Sequence, residues 1–436
     1  MMREMKDSGY DWIGEIPNNW MICQLKYGIS ILTDYTANGS FATLADNVTY
    51  LDEGYARVVR LTDLRVDFNN EGVYVSEYSY NFLKKSSLYG GEILVANVGA
   101  YSGLMCEMPK VSFKATLGPN MFLILTDVKR LLPRYLYFLS VSKPIVEQLE
   151  VKATASAQPK LNKQDVKSIY ITLPPTDDQK TIANYLDKKC LEIDSLTTEI
   201  QTQIDTLEQY KRSVISEAVT KGLNPNAEMK DSDVEWIGMM PSNWRLKKLK
   251  YLFKIEKRIA RKEGLKVLSI TQRGIIEKDI TTNEGQQAES YINYQIVNLG
   301  DFAMNHMDLL TGWIDISKIA GVTSPDYRVF ILINSECVPE YYLYLFQSCY
   351  LNKTFFSLGQ GVSGLGRWRL PASMFLNFVL PMPHQSEQKE IAMFLDEKCT
   401  EINSIIADKQ TLLETLDSYK KSIIYDYVTG KKEVPA

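Results

Sequence analysis

The chain has 436 residues, of which 45% are apolar and 23% charged, and its formal net charge is −4. This length indicates two or three domains, and no run approaches the roughly 18 consecutive apolar residues of a membrane span. The six cysteines form no CxxC pair, so the sequence indicates neither a disulfide framework nor a zinc site, and we expect a cytoplasmic protein.

Two blocks of the sequence occur twice. Residues 5–27 return as residues 229–251, with 13 of 23 positions identical. The block from Gln179 to Cys190 returns as the block from Gln388 to Cys399, whereas the segments between the blocks do not visibly match. Self-similarity of this kind indicates one scaffold that presents two different binding modules.

The repeats and the helix signals divide the chain into six predicted segments, and the predicted fold class is mixed α/β (α+β). The segments are a first repeat segment (1–27), a first insert (28–173), a central helix (174–222), a second copy of the N-terminal repeat (223–251), a second insert (252–380) and a C-terminal helix (381–436). Each insert alternates short β-rich runs with turn signals and includes one predicted helix, 133–149 or 339–350.

Both long helices have an apolar period of seven residues, which is typical of a coiled-coil seam. We therefore predict that they pair with each other, and packing of each helix on its own domain is the alternative. The predicted seam residues are Leu186, Ile193, Ile200, Leu207, Val214, Leu395, Ile402, Leu416 and Ile423.

Patterns that would indicate catalysis are weak. His306 and His384 have no metal-ligand partner at a suitable spacing. The GxGxxG at residues 359–364 is followed by no helix signal, so we do not expect a dinucleotide site there. No GxxxxGK[ST] phosphate loop occurs. We expect no catalytic residue, no bound metal and no cofactor on this chain.

Three stretches combine cations with small, polar or aromatic side chains, as nucleic-acid surfaces do. They are residues 152–163, residues 359–369 and the basic stretch 245–262, which is alternatively the solvated side of a strand or helix. Cations neutralise phosphates, and glutamine or asparagine reads adenine edges. The predicted DNA-binding residues are Arg57, Arg60, Lys152, Thr154, Ser156, Gln158, Lys160, Asn162, Lys163, Arg273, Gln360, Ser363, Arg367, Trp368 and Arg369.

Several motifs, and their order along the chain, resemble those of the DNA-specificity subunit of type I restriction-modification systems. The resemblance rests on the starts DWIGEIPNNW and EWIGMMPSNW, the strands after Gly91 and Gly300, the segments 155–162 and 321–327, and the two helix starts of the form Gln-x-x-Ile-Ala-x-x-Leu-Asp. Glu92 departs from the family pattern, in which aspartate is usual.

The resemblance implies two target-recognition domains, one per insert, held apart by an antiparallel coiled coil with pseudo-twofold symmetry. Each domain is expected to read one half of a bipartite, asymmetric site in double-stranded DNA. Two methyltransferase subunits with S-adenosylmethionine and two motor-nuclease subunits with ATP and magnesium are the implied partners, in a bacterial or archaeal cytoplasm. No membrane is implied, and the specificity subunit itself carries no active site.

The coiled coil is then expected to set the half-site separation. One heptad spans about 10 Å, which corresponds to roughly three base pairs of DNA. Two alternatives stay open on sequence grounds: a scaffolding protein whose coiled coil joins two modules that do not bind DNA, and an enzyme that acts alone.

Overall fold

The computed structural model describes residues 4–153, 158–280, 288–361 and 368–435. Two compact units divide the chain: the first unit comprises Met1–Ile200 and Thr411–Ala436, and the second comprises Gln201–Gln410. None of the helices in the described ranges is long and apolar enough to cross a membrane.

The first unit combines four sheets, two of them with only two strands, with six short helices, the start of one long helix and the end of another. Its strands are β1 (Met5–Asp7), β2 (Glu15–Pro17), β3 (Met21–Gln24), β4 (Ile29–Asp34), β5 (Tyr50–Leu51), β6 (Ala56–Val59), β7 (Tyr74–Val75), β8 (Ser87–Leu88), β9 (Ile93–Ala96), β10 (Met105–Glu107), β11 (Lys114–Leu117), β12 (Met121–Thr126) and β13 (Tyr170–Leu173). Its helices are α1 (Phe41–Asn47), α2 (Leu61–Leu64), α3 (Glu77–Phe82), α4 (Pro133–Ser140), α5 (Lys143–Ala153), α6 (Lys163–Lys167) and α7 (Thr176–Lys221), which continues into the second unit.

The second unit has fewer strands around the same kind of frame. Its strands are β14 (Met229–Asp231), β15 (Met239–Pro241), β16 (Arg245–Lys248), β17 (Phe253–Glu256), β18 (Leu268–Thr271), β19 (Gly274–Glu277), β20 (Gln295–Val297), β21 (Phe302–Met304), β22 (Ile314–Ile316), β23 (Gly321–Thr323), β24 (Arg328–Leu332) and β25 (Val379–Met382). Its helices are α8 (Pro339–Leu351), α9 (Thr354–Ser357), α10 (Ala372–Asn377) and α11 (Gln385–Val428), which ends in the first unit.

Both units are built on an antiparallel four-stranded sheet of the same order. The order is β10-β9-β12-β4 in the first unit and β22-β21-β24-β17 in the second. Around it, the first unit adds the mixed sheet β5-β7-β6-β11-β8, and the second unit adds the small pairs β18-β19 and β20-β23. The predicted fold class is confirmed, and the frame is common to both units while the additions differ.

The helix predicted over residues 133–149 is wrong in one respect, because the chain forms two helices there. α4 ends at Ser140, and α5 begins at Lys143. Pro144 has no N–H to donate, and its ring would clash with the carbonyl four residues earlier, so one continuous helix is unfavourable. Pro144 instead lies in the first turn of α5, where a missing N–H costs nothing.

The acidic residue before each central strand caps the preceding turn. The Glu92 carboxylate accepts hydrogen bonds from the N–H groups of Tyr89 (2.8 Å) and Gly90 (2.7 Å). In the second unit, Asp301 accepts from the N–H of Asn298 at 2.7 Å. Glutamate and aspartate therefore stabilise the same kind of turn, although aspartate is usual in the family pattern.

A buried glutamine fastens each long helix to its unit. The Gln179 amide donates to the carbonyls of Arg130 (2.7 Å) and Pro174 (2.8 Å) and accepts from the N–H of Leu132 (2.8 Å). These bonds tie α7 to the start of α4. The side chain is fully buried, so each of its polar groups needs such a partner.

Gln388 repeats this arrangement in the second unit. Its amide donates to the carbonyls of Glu336 (3.2 Å) and Pro383 (2.9 Å) and accepts from the N–H of Val338 (2.8 Å), which precedes α8. The duplicated sequence block thus has one structural task in both copies.

The end of each long helix is fastened by a tyrosine from a short helix. Tyr135 in α4 donates its hydroxyl hydrogen to the carbonyl of Val428 at 3.1 Å, near the end of α11. Tyr341 in α8 donates likewise to the carbonyl of Val219 at 3.0 Å, near the end of α7. Each core therefore includes the start of one long helix and the end of the other.

Within the first unit, the two long helices are antiparallel. Lys420 of α11 forms an ion pair with Asp194 of α7 at 2.6 Å. Between two and three turns nearer the start of α7, the ring of Tyr185 lies 4.6 Å from that of Tyr427. Residue numbers rise on one helix as they fall on the other.

The same order holds within the second unit. Lys211 Nζ donates to Asn403 Oδ1 at 2.9 Å, and Lys409 Nζ donates to Gln203 Oε1 at 2.6 Å. Lys409 interrupts the apolar heptad line, and this hydrogen bond supplies the polar partner that its ammonium group needs at a half-buried position.

Most predicted seam residues are removed from solvent. Those that are buried are Leu186, Ile193, Ile200, Leu395, Ile402 and Ile423, and those that are partly buried are Leu207, Val214 and Leu416. The more open positions lie in the later turns of α7 and of α11.

Replacement of Gln179 by alanine is predicted to destabilise the first unit by about 3 kcal/mol or more, because two carbonyls and one N–H lose their buried partner. Q388A should act in the same way on the second unit. Urea unfolding of each variant measures the effect, with K180A at the exposed neighbouring position as the control. Unfolding of Q179A that matches K180A would contradict this role.

Candidate nucleic-acid interface

In the first unit, the predicted basic segment lies along the loop that follows the central strand β9. The N–H of Leu161 donates to the carbonyl of Asn97, and the N–H of Gly99 donates to the carbonyl of Pro159, both at 2.9 Å. Lys160 forms an isolated β-bridge with Val98. Leu161 is buried, which turns the side chain of its neighbour Lys160 to the surface.

The second unit holds its segment in the corresponding way. The N–H of Leu370 donates to the carbonyl of His306 at 3.0 Å, in the loop after the central strand β21. Arg369 and Gln360 exchange two backbone hydrogen bonds of 2.8 and 3.0 Å. Leu370 is buried and Arg369 is exposed. Lys160 and Arg369 are therefore exposed cations at equivalent places, each directly before a buried leucine.

Among the fifteen predicted DNA-binding residues, Asn162 is exposed, Arg60, Lys163 and Trp368 are partly exposed, and six more have a surface position. Gln158, Lys160, Arg273, Gln360 and Arg369 are exposed, and Lys152 is partly exposed. Arg273 lies in the tight turn between β18 and β19. Four others lie outside the described residues: Thr154, Ser156, Ser363 and Arg367.

Arg57 and Arg60, two of the predicted DNA-binding residues, share an internal counter-ion, and their contact with DNA stays a prediction. Arg57 is 6% exposed, and its guanidinium lies 3.0 Å from the carboxylate of Asp63. Arg60 lies 3.0 Å from the other oxygen of the same carboxylate. Both arginines are thus held by Asp63, an internal counter-ion. The strand-forming residues around the arginines gave no sign of this pairing.

Asp63 is the centre of this cluster and is fully buried. Burial by itself raises the pKa of a carboxyl, but hydrogen bonds from Arg60, Arg57 and Asn70 outweigh burial and lower the pKa of Asp63 to about 2. The ring of Phe68 lies 5.0 Å from the Arg57 guanidinium. The cluster fixes the turn after β6, so its function is structural.

Asn162 and Lys163, for which base and phosphate contacts are predicted, also have structural partners. The Asn162 side-chain oxygen accepts from the N–H groups of Gln164 (2.8 Å) and Asp165 (2.9 Å), so this residue is the N-cap of α6. Lys163 forms an ion pair with Asp34 at 3.0 Å. An N-cap signal, Asn followed three residues later by Asp, was present in the sequence.

Trp368, another predicted DNA-binding residue, packs against Phe356. Its indole N–H donates to the carbonyl of Phe356 at 2.7 Å, and the two rings lie 5.5 Å apart. The residue that follows it, Arg369, keeps the surface position. Alternation along an extended segment explains why neighbouring side chains face opposite ways.

The basic stretch 245–262 lies on strands and is partly neutralised. Arg245 pairs with Glu336 at 3.5 Å, and Lys254 pairs with Glu256 at 2.8 Å. Arg258 forms an ion pair with Asp301. The alternative interpretation, a solvated face of β16 and β17, agrees better with these contacts than a continuous DNA-facing edge.

One positioning residue was missed by the sequence interpretation. Arg328 is 5% exposed, its guanidinium donates to the carbonyl of Leu370 at 2.8 Å, and it lies 4.8 Å from the ring of Phe375. Burial lowers the pKa of Arg328 to about 10. The only signal was an arginine at the start of an apolar strand, which was interpreted as β structure alone.

His306 lies beside this arginine. Burial, together with the charges of Arg328 and Arg369, lowers the pKa of His306 to about 3, so its imidazole is neutral at ordinary pH. Arg328 thus holds the backbone next to Arg369 through the carbonyl of Leu370. The neutral His306 adds no positive charge beside these two arginines.

The chemistry available at these surfaces is binding. Within the described ranges, no three histidine, cysteine or acidic side chains lie close enough together to hold a metal ion. Exposed lysine and arginine side chains on a fixed backbone are suited to phosphate oxygens and to guanine edges. Glutamines at 158 and 360 add donors and acceptors at the same edges.

Comparisons with known proteins agree with one another. The model of the type I restriction modification DNA specificity domain matches residues 63–206 and 241–415, which is more than half of the chain. The type I restriction enzyme MjaVIII specificity subunit of Methanocaldococcus jannaschii is 24% identical over 443 residues, which cover 96% of this chain and 94% of the relative.

Two solved structures have a similar fold. A chain from a type I R-M system, solved to explain complex assembly and conformational transition, has a TM-score of 0.68 at 14% identity, and covers 96% of this chain and 99% of its own. The HsdS subunit from Thermoanaerobacter tengcongensis has a TM-score of 0.52 at 14% identity, with 96% and 98% covered.

The Asp63 cluster predicts an acid-sensitive contribution to stability. The pKa of Asp63 is about 2 in the folded chain and ordinarily 3.8, so its stabilising effect is complete above about pH 5 and is lost as the pH falls through 4 to 2. D63N should reduce the free energy of unfolding by about 3 kcal/mol at pH 7, because the buried Arg57 loses its counter-ion.

Thermal unfolding of D63N and wild type between pH 7 and pH 2.5 measures this difference, which should shrink as the pH falls. D46N, at an exposed carboxylate of α1, is the control. A difference between D63N and wild type that stays constant over this pH range would refute the assignment.

Proposed function

The chain belongs to the family of type I restriction modification DNA specificity proteins, and from that premise we propose that each unit reads one half of a bipartite, asymmetric DNA site. As a specificity protein, the chain recognises DNA for a restriction-modification system and is not its catalytic subunit. The observation that carries the proposal is a shared frame with equivalent exposed cations, Lys160 and Arg369, surrounded by different additions.

The difference between these two cations favours unequal half-sites. An arginine guanidinium donates two parallel hydrogen bonds to O6 and N7 of guanine, whereas a lysine ammonium acts as a compact charge. Arg273, on its hairpin turn, is present only in the second unit, and the five-stranded sheet is present only in the first. The two units thus present different donors to their bases.

We also propose that the long helices set the separation between the half-sites. α7 has 46 residues and α11 has 44, and a helix rises about 1.5 Å per residue. Domains on a rigid spacer engage the DNA grooves only at a matching helical phase. The buried glutamines and tyrosines at the helix ends support such rigidity.

Partner docking is proposed on the duplicated helix surfaces. Leu196 and its counterpart Ile405 are 48% and 38% exposed, and Tyr210 and its counterpart Tyr419 are 54% and 51% exposed. An apolar pair exposed in each unit is suited to a protein interface. The proposed partners are two methyltransferase subunits, which use S-adenosylmethionine, and two motor-nuclease subunits, which use ATP and magnesium.

Base-resolved methylation sequencing tests the function. Cells that express this chain with its cognate methyltransferase subunit should show adenine methylation at a bipartite motif with unequal halves, and cells without the chain should not. A variant with seven residues deleted from the middle of each long helix should shorten the gap of the motif by about three base pairs.

An unchanged gap in that variant would refute the spacing proposal alone. Methylation that does not depend on the chain, from a methyltransferase subunit that co-purifies with it and is active, would refute the recognition proposal. That outcome would favour the scaffolding alternative, whose modules bind no DNA.

Lys160 and Arg369 are predicted to contribute to DNA affinity in different ways. R369A should weaken binding to a duplex that contains the motif found by methylation sequencing by about 10-fold or more, and it should relax base specificity in one half of that motif. Both effects are expected when a bidentate contact with guanine is lost. K160A should weaken binding to all sequences and reduce the salt dependence of log K by about one phosphate contact.

Fluorescence anisotropy with duplex DNA at several salt concentrations measures both effects on the chain in complex with the methyltransferase subunit. K180A, which removes an exposed cation from α7, is the matched control. If R369A binds every duplex as K180A does, Arg369 does not read bases.

A further inference from the structure

The second unit contains an open cavity of about 670 Å³, whereas the corresponding place in the first unit is filled. It lies where the second repeat segment meets β25. The rings of Trp236 and Phe378 are stacked at its base, 5.1 Å apart and 16° from parallel, and Met374 and Leu358 add apolar surface. Its rim is polar and carries the exposed Glu235 among serines, threonine and asparagines. An apolar base with a polar rim is typical of a binding site.

The equivalent place in the first unit is filled, with a void of only about 10 Å³. Trp12 there corresponds to Trp236 in the repeat. Two tyrosines occupy the space: the ring of Tyr10 lies 4.8 Å from that of Tyr170 and 5.5 Å from that of Trp12.

Valines replace both tyrosines in the second unit. The repeat places Val234 at the position of Tyr10. The strand register places Val379 at the position of Tyr170, because Tyr170 pairs with Gln24 and Val379 pairs with Lys248, its repeat counterpart. Two large rings are thus replaced by two small side chains around the same tryptophan.

The first unit also fills this site with an amide group. The side chain of Gln148 accepts from the N–H of Tyr170 at 2.8 Å and donates to the carbonyl of Tyr170 at 3.0 Å. The side chain of Gln148 therefore makes the two hydrogen bonds with the backbone of Tyr170 that a neighbouring strand would make at the outer edge of β13.

Val379 lies at the corresponding outer edge of β25, but no described side chain there takes the place of Gln148. The N–H of Leu249 donates to the carbonyl of Phe378 at 2.9 Å, so the next pair, Lys248 and Val379, is of the non-hydrogen-bonded kind. The N–H and C=O of Val379 therefore point away from β16, and no described residue bonds to them. The indole N–H of Trp236 is also buried without a hydrogen-bond partner in the described part of the chain.

We propose that this cavity binds an extended segment of a partner protein, which supplies a peptide amide to Val379 and an aromatic side chain beside Trp236. The segment takes the place that Gln148, Tyr10 and Tyr170 occupy in the first unit. An exposed strand edge with a neighbouring side-chain pocket is the usual site for an added peptide strand.

The partner is the methyltransferase subunit, and on this point the inference rests on the proposed function. Ser216, which lines the cavity, lies less than two turns after Tyr210 of the proposed docking surface on the same helix, α7. Since the corresponding place in the first unit is filled, the two docking positions are unequal. One methyltransferase subunit binds the second unit more tightly than its counterpart binds the first.

The variant V234Y/V379Y fills the cavity with the residues that the first unit already accommodates. It should reduce the affinity of the tighter of two methyltransferase-binding steps about 10-fold or more and leave the weaker step unchanged. Calorimetric titration of the full chain with the methyltransferase subunit measures both steps, and native mass spectrometry gives the stoichiometry. V128Y/V151Y makes the same two replacements at exposed positions and is the control.

Hydrogen exchange at β25 gives a second readout on the wild-type chain. Binding of the methyltransferase subunit should slow exchange of the Val379 amide, whether or not the double variant folds. Unchanged exchange there, or V234Y/V379Y that binds as the control does, overturns the inference and leaves the proposed function intact. A wild-type chain that binds no methyltransferase subunit overturns both.

Discussion

The buried amides of Gln179 and Gln388 are the constraint on which the architecture depends. A primary amide in an apolar core must find partners for its donors and its acceptor, or the fold loses several kcal/mol. Each amide bonds to the segment before a short helix and to the carbonyl before its own long helix. The direction in which each long helix leaves its unit is therefore fixed by hydrogen bonds and by packing together.

Each long helix completes two cores. Its first turns carry the glutamine of one unit, and its last turn accepts the tyrosine hydroxyl of the other, at Val219 or Val428. The core of the first unit consequently includes Ile423, Tyr427 and Val428, more than 200 residues from its other members. Contacts of such long sequence separation form slowly, so the first unit is complete only when the C-terminal helix has docked.

A common frame also explains how the two recognition surfaces are free to differ. The equivalent sheets, and the backbone hydrogen bonds to the loops after their central strands, place Lys160 and Arg369 on the same kind of backbone. Each of these cations lies one residue before a buried leucine. Replacement of Tyr10 in the repeated block and of Tyr170 on the strand beside it by valines changes a filled site into a cavity. The two units thus repeat the same arrangement of sheet and helices but present different surfaces.

The sequence by itself determined the repeats, the two long helices and their seam, and the family resemblance, because these depend on periodicity and on order along the chain. It also indicated the segments of Lys160 and Arg369. Only the tertiary structure decided which cations face solvent: Arg57 is buried against Asp63, Lys163 pairs with Asp34, and Arg328 supports a backbone carbonyl. Partners distant in sequence set burial and charge pairing, and no local pattern records them.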